Sequence, residues 1–198
     1  MLRLLTLLAF PLLSLSSQAD QMPIFPNIND ATAEAPLIHP KPTLTDLLTI
    51  ESSASIFYSY ARELELSARF ADARDRLTVF APTNKAVMAL ARKPHQGPAG
   101  SPDDGITISE EEFDSMSKQN VDNWVSAHIL PESPISFDVR QHPTLLHRKS
   151  ITFTPISKDE GKGAPWSQVT LEDGVRIIGM KEASNGVLYM IDGSISYD

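Results

Sequence analysis

Between Leu77 and Leu90 the chain changes its hydrophobic period once, at Pro82. Before the proline, Leu77, Val79 and Ala81 share one face of a strand and Thr78 and Phe80 take the other. The β-branched and aromatic content suits a half-buried ribbon. Pro82 has no N–H to donate, so the ladder stops there. Thr83 follows as a natural N-cap, and Val87, Leu90 and Ala91 give the next segment a helical apolar stripe. A strand that turns directly into a capped helix is a buried joint, and the rest of the domain must pack around it.

Residues 1–19 read as a secretory signal peptide: Arg3 supplies the positive n-region, Leu4 to Leu15 the apolar run, and Ser17-Gln18-Ala19 the small-x-small cleavage site. The run is broken by Pro11 and is shorter than the roughly 20 residues of a membrane span. The C-terminal Ser194–Asp198 carries neither a lipid-anchor tail nor a retention tetrapeptide. These features predict a chain of the secretory pathway, with no transmembrane segment, bound for the extracellular space or a vacuole lumen.

The formal net charge is −8 and becomes one unit more negative without Arg3. An acidic surface repels phosphate backbones, which excludes nucleic acid as a partner class. The chain has no cysteine, so in an oxidising compartment it must be held by its core alone. No asparagine begins an Asn-x-Ser/Thr sequon.

Residues 20–42 contain Pro23, Pro26, Pro36, Pro40 and Pro42 among small and polar residues, a Pro-rich leader or linker. Folded structure is predicted from Thr43, which caps Leu44–Leu48 with Asp46 as its reciprocal partner. Ile56, Phe57, Tyr60, Ala61 and Leu64 then make the core stripe of an amphipathic helix. Loop insertions are predicted near 92–107, punctuated by prolines and glycines, and near 157–166. Ser109 and Glu112 form a capping box for Glu110–Met116, and Val121, Trp124, Val125 and His128 share one face of a further helix ended by Pro131. His128 on that stripe reads as a hydrogen-bonded core residue.

From Thr144 the period shortens. Leu145-Leu146, Ile151–Ile156, Gln168–Leu171 and Val175–Ile178 read as strands, and Asn185-Gly186 as a positive-φ turn before Val187–Ile191. Helices first and strands later predict an α+β domain with a mostly antiparallel sheet over 43–197. Asp192 ends the last strand with a carboxylate that needs donors, and we expect it to find them near Thr83-Asn84.

Two stretches carry a family likeness. Ala183–Ile195, an Asn-Gly turn followed by an apolar strand ending in Ile191-Asp192, resembles the second signature of the fasciclin (FAS1) domain. Thr78-Val-Phe-Ala-Pro-Thr-Asn84 resembles the first. Ala127-His128 sits where the family has its central Tyr-His motif, with the Tyr missing, and Tyr189 stands where a His is frequent. The resemblance covers roughly Thr43 to Tyr197. It implies the FAS1 fold, a wedge of two β-sheets with surrounding helices.

It also implies a non-catalytic interaction module, with an unidentified protein or glycan of the cell wall, matrix or vacuole lumen as partner. Animal members engage integrins through the Tyr-His region and an Asp-Ile motif; Ala127 and Gly179–Ala183 lack both features. Small single-domain fungal members, which this chain resembles, are associated with the vacuole.

No catalytic, cofactor-binding or metal-ligating residue is assigned from the sequence. There is no cysteine nucleophile and no Gly-x-Ser-x-Gly elbow. His142, His147 and Asp138 match no metal-ligand spacing. Paired carboxylates of a glycan-active hydrolase are a three-dimensional matter. A carrier of a small apolar ligand would need a cavity lined by Phe80, Trp124 or Met190, where the sequence predicts close packing.

Overall fold

The computed structural model describes residues 41–98, 109–156 and 163–197, all within one compact unit spanning His39–Asp198. The predicted signal, the leader up to residue 40, and residues 99–107 and 157–162 of the two insertions lie outside the described residues.

The joint forms as its sequence dictates. Leu77–Pro82 is a strand (β1), Thr83 is extended, and its hydroxyl accepts the Ala86 N–H to start a helix at Asn84–Ala89 (α3). That helix is shorter than predicted. Leu90 is its C-cap and Ala91 is exposed, so only Ala86 and Val87 of the helix are buried. Lys93 Nζ donates to the carbonyls of Val87, Met88 and Leu90 and so closes the helix end.

β1 is buried along its whole length, not half-buried as its composition suggested. The reason is its place in the sheet. Ile129–Leu130 (β2), β1, Gly186–Ile191 (β8) and Ile177–Ala183 (β7) pair in that order, leaving β1 internal with both faces covered. Leu77, Val79 and Ala81 face a core shared with Leu188 and Met190, while Phe80 faces a second with Tyr189 and Ile191. The alternation predicted for β1 is therefore present, and β8 alternates in the same way. The central β1–β8 pair is parallel, Leu77 opposite Gly186 through Pro82 opposite Ile191, a parallel centre in described sheets that are otherwise antiparallel, in keeping with the mostly antiparallel expectation. Its flanking pairs, β1–β2 and β7–β8, are antiparallel.

On the first face lie Leu44–Ile50 (α1), whose capping box Thr43/Asp46 is formed, and Ser55–Ala61 (α2). The apolar stripe of α2 ends at Ala61, and Leu64 enters the core from the N-cap of a 3₁₀ segment, Glu65–Phe70. Glu110–Ala127 (α4) is one helix of 18 residues, joining two segments predicted apart. Its Ser109/Glu112 capping box is present, and Val121, Trp124 and Val125 are buried. Trp124 meets Phe57 edge-on at 5.5 Å between ring centroids.

Against the second face pack two short ribbons, His142–Pro143 (β3) with Ser150–Ile151 (β4), and Thr154–Pro155 (β5) with Val169–Thr170 (β6). Leu145-Leu146 is a bend rather than a strand, because the Thr144 hydroxyl takes the Leu146 N–H and the Lys149 N–H turns back to the Leu146 carbonyl. The predicted strand at Ile151–Ile156 is divided between β4 and β5. The last predicted strand before the hairpin begins at Ile177 and runs on to Ala183.

The β7–β8 hairpin turns at Ser184-Asn185, with Gly186 already paired in β8, which corrects the predicted Asn185-Gly186 turn. Asn185 does not adopt positive φ. Gly186 is needed because a Cβ there would lie 2.0 Å from the Leu77 carbonyl oxygen of the neighbouring strand.

Candidate functional site

Polar groups buried in a scaffold must find partners, and the residues singled out in the sequence do so. Asn84 Oδ1 accepts the Ile56 N–H while its amide donates to Ser52 O and Ser55 Oγ, pinning α3 to the start of α2. Asn185, fully buried, accepts the Leu44 N–H at 2.9 Å and donates to Phe70 O and Asp72 O. Asp192 does not reach Thr83-Asn84. Its Oδ1 accepts the Arg176 N–H at 2.8 Å across the hairpin, and the two signatures are tied instead by the β1–β8 ladder and the Thr83 N–H to Ile191 O bond.

His128 follows α4 as its C-cap and is fully buried. Its Nδ1 donates to Trp124 O at 2.7 Å, and its Nε2 accepts the Ile195 N–H at 3.0 Å with Ser194 Oγ at 3.3 Å. This pattern requires the neutral Nδ1–H tautomer. Burial pushes the imidazole pKa down to about 4, with the Lys149 charge adding to the effect and the Trp124 bond opposing it. His128 is thus a hydrogen-bonded core residue, as its place on the stripe predicted.

The three residues weighed for a metal are partly brought together. His142 is buried, with Nδ1 2.9 Å from Glu132 Oε1 and Nε2 3.5 Å from Asp138 Oδ1, and Nε2 makes no hydrogen bond. The carboxylates sit on opposite ring nitrogens, so they do not converge on one point. His147 stands exposed on the following turn. Among the described residues no three His, Cys, Asp or Glu side chains converge as a metal site.

The feature that sequence reasoning missed is a cleft of about 290 Å³ beside α4. One wall is the turn Arg92–Pro98, the other the C-terminal segment Ser194–Tyr197, with Trp124 between them. The turn is ordered by its own bonds: Lys93 N–H donates to Gln96 Oε1, and Arg92 donates through Nε to Gly97 O and through Nη2 to Gln96 O. Asn120 of α4 donates to His95 O, and Gly97, at φ +67°, packs against the same Asn120 side chain. The opposite wall is fixed by Trp124 Nε1 donating to Ser194 Oγ at 2.9 Å. No periodicity marks these residues, because they come from a loop and a terminal segment. The one available signal was the cationic pair Arg92-Lys93 directly after a helix. Of the residues proposed to line a ligand cavity, Trp124 borders this cleft, whereas Phe80 and Met190 are buried in the two cores.

A second cleft, about 390 Å³, lies between Tyr60, Leu64, His95 and Lys118, with Glu63 at its rim. A third, about 240 Å³, runs beside it past Glu65, Lys118 and Asp122.

Fold and site together define an α+β domain whose conspicuous polar residues, Asn84, His128, Asn185 and Asp192, serve as structural fastenings. Residues 52–196 match the family model described as the Fasciclin domain, and the chain belongs to that family, whose members are in general non-catalytic interaction modules related to adhesion. It is 28% identical over 160 residues to a FAS1 domain-containing protein of Eremothecium gossypii, covering 77% of this chain and 64% of that one. A FAS1 domain-containing protein of Saccharomyces cerevisiae is 27% identical over 167 residues, covering 76% and 61%. One from Aspergillus fumigatus is 36% identical over 97 residues, covering 48% and 42%. The chain thus spans less than two thirds of the length of these curated relatives. Among solved structures, the FAS1 domain pair of the insect cell adhesion molecule fasciclin I superposes with a TM-score of 0.51 at 14% identity, covering 79% of this chain and 51% of that one. That likeness concerns the fold. Among the described residues no helix is long and apolar enough to cross a membrane.

Proposed function

We propose that the chain is a non-catalytic binding module of the secretory pathway whose partner is a protein or glycan of the cell wall, matrix or vacuole lumen. The observation that carries this reading is the family match over 52–196, together with the adhesion molecule that supplies its structural neighbour. The test is fractionation of cells expressing a C-terminally tagged full chain, followed by cross-linking in the fraction where it is found. Recovery in the wall, medium or vacuole lumen with a co-purifying wall glycan or luminal protein supports the reading. Recovery in the cytosol sinks it.

A second reading is favoured by one observation. The cleft beside Trp124 has apolar walls and a few convergent polar groups, the makeup of a small-molecule site, and its volume is near the lower end of the usual range of about 300–1,000 Å³. It supports a carrier of a small ligand, tested by calorimetric titration with single-ring compounds.

A further inference from the structure

We infer that the cleft between the Arg92–Pro98 turn and the Ser194–Tyr197 segment binds a small organic anion: a single ring or short apolar chain bearing one carboxylate. This rests on the carrier reading and names its ligand class.

Charge is the first argument. The chain carries a formal −8, yet among the described residues that line this cleft the charged ones are Arg92 and Lys93, both cationic. The other two clefts set Lys118 against Glu63, or against Glu65 and Asp122. A recessed positive lining on an acidic protein selects anions locally while the remaining surface repels them.

Hydrogen bonding then assigns the partner. Lys93 Nζ lies 2.9 Å from Met88 O and 3.1 Å from Leu90 O, so its charge is engaged with the C-terminal end of α3. Toward the described residues Arg92 spends one edge of its fork, Nε and Nη2, on Gly97 O and Gln96 O. Those two bonds fix the guanidinium plane and leave its Nη1/Nη2 edge for a bidentate carboxylate.

The remaining lining fits the rest of such a molecule. Leu90, Pro94, Trp124 and Ile195 supply apolar wall, and about 290 Å³ is close to twice the ~150 Å³ cavity that holds benzene. Both walls are fastened to α4, through Asn120 and Trp124, so little ordering is left for the ligand to impose.

The experiment is calorimetric titration of the full chain at low ionic strength with phenylacetate, its neutral near-isostere phenylacetamide, and the cation phenethylamine. Phenylacetate is expected to bind at least tenfold more tightly than the amide, and phenethylamine not at all. Arg92→Gln is expected to bring phenylacetate down to the level of the amide while leaving amide binding unchanged, with Arg92→Lys between. Equal affinity for acid and amide in the native chain overturns the anion assignment and leaves the carrier reading standing. Absence of binding by all three overturns both. The native-chain comparison needs no variant, so misfolding of Arg92→Gln would not decide the outcome.

Discussion

His128 Nε2 accepts the backbone N–H of Ile195 across 67 positions of sequence, and through that bond the end of α4 holds the segment that follows the last strand. The bond exists only while the imidazole is neutral, because protonated Nε2 has no lone pair to offer. The folded-state pKa of about 4 lies below the ordinary 6.5, so between these values the unfolded chain binds a proton that the folded chain refuses. Stability from this group is present above pH 6.5, falls as pH drops, and is lost by about pH 4, a loss of the order of 3 kcal/mol. Chemical denaturation of the native chain and of His128→Gln between pH 7 and 4 measures it. The variant is expected to start less stable and to show a flatter dependence across that window; parallel curves would rule out His128 as the source.

Asn185 is the second fastening. Replacing it with Ala removes three hydrogen bonds and leaves the Leu44 N–H and the carbonyls of Phe70 and Asp72 to find other partners in a buried site. At about 1–3 kcal/mol for a stranded buried group, a loss near 4 kcal/mol is expected in urea unfolding. Asn185→Asp should cost as much or more, since the Oδ1 acceptor is kept but both amide donors are replaced by a charge facing carbonyl oxygens.

Two glycines give a paired test of why each is there. Gly186→Ala would place Cβ 2.0 Å from the Leu77 carbonyl, against backbone in the central parallel pair, so loss of the folded state or at least ~4 kcal/mol is expected. Gly174→Ala has open space around it and only a φ of +76° to tolerate, a cost of about 1–2 kcal/mol. Similar melting temperatures for the two variants would contradict this account.

The joint at Leu77–Asn84 was legible because its signals are local: alternation, one proline, one capping threonine. So were the Thr43 and Ser109 caps and the burial of Trp124 and His128. The parallel β1–β8 pairing was not, since it joins strands about a hundred residues apart and period alone carries no direction. Leu145-Leu146 looked like strand from its apolar pair, but Thr144 offers the backbone a competing turn. The cleft was invisible for a related reason. Arg92 and Ser194 become neighbours of one cavity only after α4 has fixed both segments, and neither lies on a periodic face.

Asp192 and Thr83 separate a local role from a long-range one. The sequence suggested that the two signatures meet through the Asp192 carboxylate, whereas Asp192 serves Arg176 and Thr83 serves Ala86, with no shared partner. Asp192→Ala removes one solvent-exposed bond to the Arg176 N–H, at about 0.5–1 kcal/mol. Thr83→Ala removes an N-cap, at about 1 kcal/mol. The two side chains share no hydrogen-bond partner, so the double variant is expected to lose close to the sum, with any excess limited to what the Thr83 N–H to Ile191 O bond between their backbones transmits. A coupling of several kcal/mol in a double-mutant cycle would contradict separate roles for the two side chains and point to a contact between the Asp192 carboxylate and the start of α3.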